Sequence, residues 1–353
     1  MNILVRGTNW VGDAVMTVPA MRELRRIFPA ARISLHTRGW ARGIFEDAEF
    51  IDEIITFDKA ESKIKDSFAQ AKNLREKEFD SVILFPNSFE SALITKLSGI
   101  PRRFGYAKEG RGFLLTDAIE IPAWKNQRHE VYYYLNLIAK IEKSFFQTQT
   151  VLQTTPRIDL PVSAERREKA KNILAENGVD LNKKTVALGV GSTNSTAKRW
   201  HAESYAALND KLQTETGANV FLIGANEEQE VSQTVYNKSL KKPFVLTGKT
   251  SLAEAVAVLS EIDLLVSNDM GLAHIAPAVG TKTLVIFGPT NEKTTKPFSE
   301  NARIIRRDVE CSPCMLRACP IDHRCMTLIS PLEVFKQAVE MIYDTMPNEK
   351  VLK

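Results

Sequence analysis

The amino-acid sequence predicts an α/β protein made of two domains, each built on a parallel β-sheet. Buried apolar runs alternate with helical patterns from residue 1 to about residue 143, and the same alternation restarts at residue 184. Such alternation indicates parallel strands joined by right-handed helical crossovers. Between the two series, residues 145–162 are polar, contain Pro156 and Pro161, and have no helical period. The sequence therefore predicts two Rossmann-like domains that are joined by a linker and face each other across a cleft.

The N-terminal half opens with a short strand and a helix. Ile3–Val5 is an apolar run that predicts a buried strand, and the apolar residues that begin at Val11 have helical spacing. Ser88 is in position to cap a helix that ends at Leu97. Residues 101–122 are rich in Gly and Arg, which predicts irregular structure. The remaining predicted elements are strands at Arg32–Thr37, Glu53–Phe57 and Asp80–Phe85, and helices at 60–78 and His129–Lys143.

The C-terminal half repeats this pattern. A polar loop leads to a helix from Trp200 to about Thr216, and the last helix, Pro331–Tyr343, is amphipathic and could pack on either domain. The predicted strands are Lys184–Val190, Asn219–Ile223, Pro243–Leu246, Asp263–Val266 and Lys282–Phe287. We place the domains at 1–155 and 163–330, followed by a C-terminal helix and tail at 331–353.

Composition narrows the class of protein. The 353 residues are 44% hydrophobic and 25% charged, values typical of a globular protein, and the length suits two domains. No apolar run approaches the roughly 18 residues of a membrane span. Arg6 and Asp13 interrupt the apolar N-terminus, which argues against a signal peptide. The four cysteines are sparse and clustered, which favours a reducing compartment, so we expect a cytoplasmic protein.

Positive charge is concentrated near the N-terminus. The net charge of +4 does not by itself indicate a nucleic-acid partner. Residues 1–45, however, contain seven arginines against two acidic residues, and a second basic group occupies residues 102–111. These arginines fit either solvated helix faces or a cleft for an anionic substrate or a membrane surface.

The Gly7–Asp13 stretch joins the first strand to the first helix, where open α/β sheets bind ligands. Asp13 would lie in the first helical turn. A carboxylate at that point would repel the phosphate that a helix N-terminus attracts. The sequence therefore argues against a phosphate-binding loop here.

Two loops of the second half have the composition of a nucleotide site. Gly189–Trp200 follows a strand and supplies small residues, hydroxyl groups and Lys198, although it lacks the Walker order and also fits an ordinary polar loop. Ser267–Ala278 contains Asp269, Gly271 and His274. Asp269 could accept ligand hydroxyls or simply cap the next helix, and a lone histidine is commonly a buried core residue. With Gly288–Thr290 after the next strand, three loops would converge on one cleft.

Several ordered motifs resemble those of the ADP-heptose:lipopolysaccharide heptosyltransferases, and the type II branch in particular. They span residues 1 to about 298. The matching stretches are Trp10–Asp13 with Pro19 and Ala20, Leu74–Asp80, Phe85–Leu93, Ser98–Gly105, Asn268–His274 and Phe287–Thr290.

The resemblance implies a GT-B glycosyltransferase that inverts the donor sugar and needs no catalytic metal or other cofactor. ADP-heptose would bind the C-terminal domain, and a lipid-linked acceptor would bind the N-terminal one. Asp13 would be the general base, which suits an inverting transfer because it requires only one. The implied donor-binding residues are Thr193, Asn194, Lys198, Thr250, Asp269, Gly271, Leu272 and His274. The implied acceptor-binding residues are Asn9, Trp10, Asn87, Arg102 and Arg103.

The implied acceptor is the inner-core heptose of heptosyl-Kdo-lipid A, whose carboxylates and phosphates would give the arginine excess a function. We accordingly expect peripheral contact with the inner face of the inner membrane and no nucleic-acid partner. One departure from the family pattern concerns Gly224–Glu227. The resemblance implies an acidic residue directly after the strand-end glycine, but this chain has Ala225 there, so a ribose contact is not implied.

A second departure is the cysteine cluster, spaced C-x2-C-x4-C-x5-C. Four thiolates can close a tetrahedral structural zinc site, and His323 is a spare ligand. An iron–sulfur cluster would fit the ligand count but has no redox task in a glycosyltransferase. Free or disulfide-prone thiols in a surface loop are the alternative. The four candidate ligands are Cys311, Cys314, Cys319 and Cys325.

Other functions remain open at this point. They include the acceptor choice of a type I heptosyltransferase, a sugar-nucleotide epimerase of the same fold, and a non-catalytic sugar-nucleotide binding protein. A dinucleotide dehydrogenase is disfavoured, because Gly7 and Gly12 do not form G-x-G-x-x-G and strand two lacks a terminal acidic residue. Fold alone does not separate these activities.

Overall fold

The computed structural model describes residues 1–57 and 63–343. These residues form two compact units, Met1–Pro161 with Lys293–Phe298, and Val162–Glu292 with the chain from Ser299 onward. The predicted helix 60–78 therefore begins outside the described residues, as does the predicted tail 344–353. None of the described helices is both long and apolar enough to cross a membrane.

The first unit is a parallel sheet covered by helices. Its strand order is β3-β2-β1-β4-β5-β6, which places the first and fourth strands side by side. Its strands are β1 (Asn2–Arg6), β2 (Arg32–Arg38), β3 (Glu53–Phe57), β4 (Ser81–Leu84), β5 (Arg102–Tyr106) and β6 (Asp117–Ile119). Its helices are α1 (Val11–Met16), α2 (Val18–Ile27), α3 (Arg42–Phe45), α4 (Lys63–Arg75), α5 (Phe89–Leu97) and α6 (Glu130–Phe146).

The second unit repeats this topology. Its strand order is β12-β11-β10-β7-β8-β9, so its own first and fourth strands are again neighbours. Its strands are β7 (Thr185–Gly189), β8 (Asn219–Leu222), β9 (Phe244–Val245), β10 (Leu264–Asn268), β11 (Lys282–Phe287) and β12 (Ala302–Arg306). Its helices are α7 (Ala164–Glu176), α8 (Ala202–Lys211), α9 (Gln229–Lys238), α10 (Leu252–Leu259), α11 (Gly271–Ala278), α13 (Arg324–Thr327) and α14 (Pro331–Tyr343). Helix α12 (Glu292–Thr295) belongs to the first unit from Lys293 onward.

Both units have a topological switch point, where ligands bind doubly wound sheets. In the first unit it lies between β1 and β4, and in the second between β7 and β10. The central strands are buried on both faces, which explains their continuous apolar runs. The amphipathic α14 packs against α8, β10 and β11, which assigns it to the second unit.

Two predicted features of the fold are corrected. Residues 101–122 are not irregular, because Phe104–Tyr106 are buried within β5 and pair with β6. The first helix is interrupted between Met16 and Val18, since Pro19 has no backbone N–H to bond the preceding turn. The segment after α6 belongs to the first unit as far as Pro161, and the division between the two units falls between Pro161 and Val162. The Glu142 carboxylate accepts hydrogen bonds from the backbone N–H groups of Thr150 and Val151, both at 3.0 Å.

Candidate functional site: strand-end loops of the two sheets

The Asn268 side chain organises the switch point of the second unit. It is fully buried at the end of β10. Its Nδ2 donates to the carbonyl oxygens of Val190 (3.0 Å) and Gly191 (2.9 Å), and its Oδ1 accepts from Trp200 N (2.9 Å) and the Tyr205 hydroxyl (3.0 Å). Both protons and both lone pairs of the amide are thereby used. This residue fixes both ends of the loop after β7 against β10.

The Asp269 carboxylate joins three strand-end loops. Lys198 Nζ, from the loop after β7, lies 2.8 Å from Asp269 Oδ2, and the Thr290 hydroxyl, from the loop after β11, donates to the same oxygen at 2.7 Å. Asp269 is only 5% exposed. It does not cap α11, whose N-cap residue is Met270. The structure thus brings together a cation, a carboxylate and a hydroxyl at adjoining strand ends.

The backbone amides of Gly271 and Leu272 belong to the first turn of α11, beside Asp269. N–H groups in a first helical turn have no intrahelical partner and can bind an anion. His274 lies one turn further on and is buried. Gly189 permits the close packing of this region, since a Cβ on it would lie 2.7 Å from the Ser267 Cβ.

Thr193 and Asn194 are exposed at the tip of the loop after β7. The Thr193 hydroxyl lies 3.4 Å from Oε1 of Glu228, a buried residue whose pKa is raised by desolvation. The Glu228 side chain fills the space beside two glycines. A Cβ on Gly191 would lie 2.1 Å from Glu228 Cδ, and one on Gly224 would lie 2.5 Å from its Oε2. The space beside Gly224 is thus filled by the carboxylate of Glu228, and not by an acidic residue directly after that glycine.

Thr250 lies after β9, directly before Ser251, the N-cap residue of α10. In the sheet order, β8 separates β9 from β7. Thr250, an implied donor-binding residue, is therefore at the same edge of the sheet as Lys198, two strands further along. Gly248 turns the chain here with φ of +73°, and a Cβ on it would lie 2.4 Å from Gln229 Nε2.

In the first unit, Asp13 lies half-buried in the first turn of α1. Trp10 is the N-cap residue and is 53% exposed, and Asn9 beside it is also exposed. Burial, and then the negative charge of Asp13, raise the pKa of Tyr134 in α6. The helix N-terminus stabilises the Asp13 carboxylate in its charged form.

Asn87 belongs to the loop after β4, across the switch point from Asp13. Its side chain contacts the Tyr133 hydroxyl at 3.3 Å and Arg111 Nη2 at 3.4 Å. Arg111 is fully buried and donates to the carbonyl oxygens of Tyr106 (2.9 Å) and Pro86 (2.5 Å). Desolvation lowers the Arg111 pKa to about 10, which still leaves it charged at neutral pH. Arg111 therefore shapes this loop from inside the fold.

Arg102 and Arg103 are placed differently from the expectation. They begin β5, so they lie at the edge of the sheet opposite the Asp13 loop. Arg102 pairs with Asp117 at 2.9 Å, and Arg103 donates to the carbonyl oxygens of Leu114 (2.8 Å) and Ile100 (2.6 Å). These contacts favour a structural role, and we leave both arginines out of the proposed acceptor site.

The cysteine cluster does not fit a metal site. Among the described residues, no group of three or more His, Cys, Asp or Glu side chains is placed to hold a metal ion. The four cysteines are free, Cys311 is exposed, and burial raises the pKa of Cys325 to about 11, which disfavours the thiolate that a metal requires. The spare ligand His323 instead donates from Nε2 to the Ala197 carbonyl oxygen at 2.6 Å. The predicted zinc site finds no support.

Sequence reasoning missed three contributors to the second-unit site: Asn268 as an organiser, Thr290 as a partner of Asp269, and Glu228 behind the glycines. Asn268 and Thr290 belong to recognised motifs, but their residue types alone indicate no such role. For Glu228, the sequence signal is its position shortly after the strand-end glycine Gly224.

Two parallel sheets of the same topology, with a polar strand-end site on the second, are the architecture of the GT-B fold. Residues 67–324 match the model of glycosyltransferase family 9 (heptosyltransferase). The chain belongs to this family and is a glycosyltransferase. An epimerase, a dehydrogenase or a non-catalytic binding protein is thereby disfavoured.

Relatives of known name agree with this assignment. The chain is 30% identical to lipopolysaccharide heptosyltransferase 2 of Escherichia coli K12, over 87% of this chain and 88% of that protein. It is 26% identical to lipooligosaccharide heptosyltransferase 2 of Campylobacter jejuni, over 97% and 98% of the two chains. The solved structure of E. coli ADP-heptose LPS heptosyltransferase II superposes with a TM-score of 0.83 at 27% identity, covering 97% of this chain and 98% of that one.

Proposed function

We propose that this enzyme transfers heptose from ADP-heptose to the inner-core heptose of heptosyl-Kdo-lipid A in lipopolysaccharide core biosynthesis. Family membership supports the transfer of heptose, and the relatives from E. coli and C. jejuni support the second-heptose step. The similar E. coli structure is that of an ADP-heptose LPS heptosyltransferase, which supports ADP-heptose as the donor. We place this reaction at the inner face of the inner membrane, with the protein cytoplasmic and peripheral.

The observation that carries the donor assignment is the meeting of Lys198, Asp269 and Thr290 at adjoining strand ends. Lys198 and the free amides of Gly271 and Leu272 supply positive charge and donors for the diphosphate. The Asp269 carboxylate accepts hydrogen bonds from the heptose hydroxyl groups. Thr193, Asn194, Thr250 and His274 complete the proposed donor set.

The proposed chemistry is a single inverting displacement. The acceptor hydroxyl oxygen attacks the anomeric carbon, the bond from that carbon to the β-phosphate oxygen breaks, and ADP leaves with the bonding electrons. Asp13 takes the proton of the attacking hydroxyl. The charge that develops on the leaving diphosphate is stabilised by Lys198 and the α11 amides, which are fixed before the reaction. We infer that no catalytic metal is required, because these groups supply the countercharge.

The first unit provides the acceptor side of this proposal. Asn9 and Trp10 are exposed beside Asp13, and Asn87 lies on the neighbouring strand-end loop. An exposed indole can pack against a sugar ring while its N–H remains available for a hydrogen bond. These three residues are the proposed contacts to the acceptor heptose.

The test is heptose transfer by the purified enzyme, followed as the mass increase of the lipid acceptor. With ADP-heptose we expect transfer to heptosyl-Kdo-lipid A, unaffected by EDTA, and much slower transfer to Kdo-lipid A. Equal use of both acceptors would contradict the second-heptose assignment. Loss of activity in EDTA that is restored by a divalent cation would contradict metal independence. Product of retained anomeric configuration would contradict the single displacement.

A further inference from the structure

The first unit contains a pocket of about 60 Å³ where three neighbouring strands end. Arg6, Arg38 and Phe57, which line it, are the last residues of β1, β2 and β3. The pocket is on the same edge of the sheet as the proposed base, since Asn9 also lines it and lies four residues before Asp13. None of the donor-site chemistry of the second unit uses this pocket.

Arg6 is a buried cation whose hydrogen-bond partners, among the described residues, are the neutral side chains of His36 and Gln70. It is only 7% exposed. Its Nη1 donates to Gln70 Oε1 at 2.9 Å and to His36 Nδ1 at 2.6 Å, and its Cζ lies 3.7 Å from the centre of the Phe57 ring. Within residues 1–57 and 63–343, no carboxylate oxygen lies within 4.0 Å of the guanidinium nitrogens of Arg6 or Arg38.

The charge states of this cluster follow from burial. Desolvation, and then the Arg6 charge, lower the pKa of His36 to about 2, so its imidazole is neutral and accepts from Arg6. Desolvation likewise lowers the pKa of Arg6 to about 9, which keeps it protonated at neutral pH. A buried charge that is solvated only by neutral groups costs stability unless an opposite charge joins it.

Arg38 adds a second cation at the mouth of the pocket. It is half-buried and its Cζ lies 4.8 Å from the centre of the Phe57 ring. Asp66 and Glu90 also line the pocket, each in the first turn of a helix, which stabilises a negative charge independently of the arginines. Their charges raise the Arg6 pKa at longer range, by less than desolvation lowers it. The space equals roughly two water volumes, which suits a carboxylate or phosphate group.

We propose that this pocket is a subsite for an anionic group of the acceptor, a carboxylate or a phosphate, which forms ion pairs with Arg6 and Arg38. The inference rests on the proposed function, because that function supplies an acceptor that carries both groups. Anchoring the acceptor here orients its hydroxyl toward the Asn9–Asp13 loop. The Arg6 and Arg38 side chains are positioning residues and do not touch the reacting atoms.

The experiment compares Arg38→Gln with Arg38→Lys and with Lys72→Gln, which removes an exposed cation of α4 that does not line the pocket. Acceptor binding is measured by titration calorimetry without donor, and steady-state kinetics are measured at saturating ADP-heptose. We expect Arg38→Gln to weaken acceptor binding about tenfold or more and to raise the acceptor KM similarly. Arg38→Lys should recover part of this loss. The KM for ADP-heptose should not change.

Two modified acceptors identify the bound group. One is dephosphorylated and the other has its carboxylates converted to methyl esters. Wild-type binding should weaken with one of them, and Arg38→Gln should then add no further loss, since the pair is already broken. If Arg38→Gln weakened the binding of both modified acceptors as much as that of the natural acceptor, the subsite would be excluded. It would also be excluded if Arg38→Gln weakened binding of the natural acceptor no more than Lys72→Gln does. Arg38-dependent binding without any heptose transfer would support the subsite and contradict the proposed function.

Discussion

Lys198 and Asp269 form an ion pair, with Nζ and Oδ2 2.8 Å apart, that ties the loop after β7 to the loop after β10. The pair places a cation next to the first amides of α11 before any ligand arrives. Lys198 is partly exposed whereas Asp269 is buried, so the lysine is the partner that can turn toward a diphosphate. Thr290 donates a further hydrogen bond to the same carboxylate oxygen, so Asp269 has a second partner besides the lysine.

Removal of the Lys198 charge should impair use of the donor. For Lys198→Met we expect kcat/KM for ADP-heptose to fall roughly 100-fold, because the cation that can reach the leaving diphosphate is lost. The control is Lys183→Met, an exposed lysine at the other end of β7. The value of kcat/KM for ADP-heptose is measured for both variants at saturating acceptor. A Lys198→Met enzyme as active as the control would exclude Lys198 from the donor site.

Asn268 should be a stability determinant of the second unit. Asn268→Ala removes the hydrogen-bond partner of the Val190 and Gly191 carbonyl oxygens and of the Trp200 N–H, whereas the Tyr205 hydroxyl keeps the Gly189 carbonyl oxygen. We expect the free energy of unfolding to fall by about 3 kcal/mol. Asn237→Ala, which removes an exposed side-chain hydrogen bond from Gln233, should cost less than about 0.5 kcal/mol. Urea unfolding followed by circular dichroism compares the two. Equal losses would show that the Asn268 network contributes little.

The neutral His36 predicts a pH dependence of stability. Its folded pKa of about 2 lies below the unfolded value of 6.5, so below pH 6.5 only the unfolded chain binds the proton. Stability is therefore full above pH 6.5 and falls on acidification, by roughly 2 kcal/mol between pH 7.5 and pH 5 from this residue. His129, whose pKa burial also lowers, acts in the same direction.

The His36→Gln variant isolates this effect, because glutamine keeps an acceptor for Arg6 without titrating. Urea titrations at pH 7.5, 6.5, 5.5 and 5.0 should give a shallower decline for the variant than for the wild type. Above pH 5 the carboxylates contribute little to the slope. Parallel curves for the two proteins would contradict a neutral buried His36.

Elements with a strong local pattern can be predicted from the sequence. Lys282–Phe287 and Pro331–Tyr343 have the predicted bounds in the structure, and Ser88 caps α5 through a hydrogen bond from Ser91 N. Strand β12 (Ala302–Arg306) is absent from the sequence-based prediction. It is a half-buried edge strand with arginine near each end, so it lacks the continuous apolar run of a central strand.

The candidate site is only partly accessible to sequence reasoning. Loop composition indicates Lys198 and Asp269, since strand-end position and residue chemistry are local features. The network of Asn268 is not accessible, because its partners lie 63 to 78 residues away in the chain. The Arg6 pocket is not predictable from the sequence for the same reason. Gln70 is 64 residues from Arg6, and nothing at Gln70 indicates a functional role.

The most direct test of the proposed mechanism is the Asp13→Asn variant, assayed for heptose transfer at saturating ADP-heptose and acceptor, with ADP binding measured in parallel. We predict that kcat falls about 100-fold or more, since a general base contributes on that scale, while ADP binds as tightly as to the wild type. Asparagine keeps the size and polarity of the side chain but cannot take the proton. A near-normal kcat would contradict Asp13 as the base and with it the proposed mechanism.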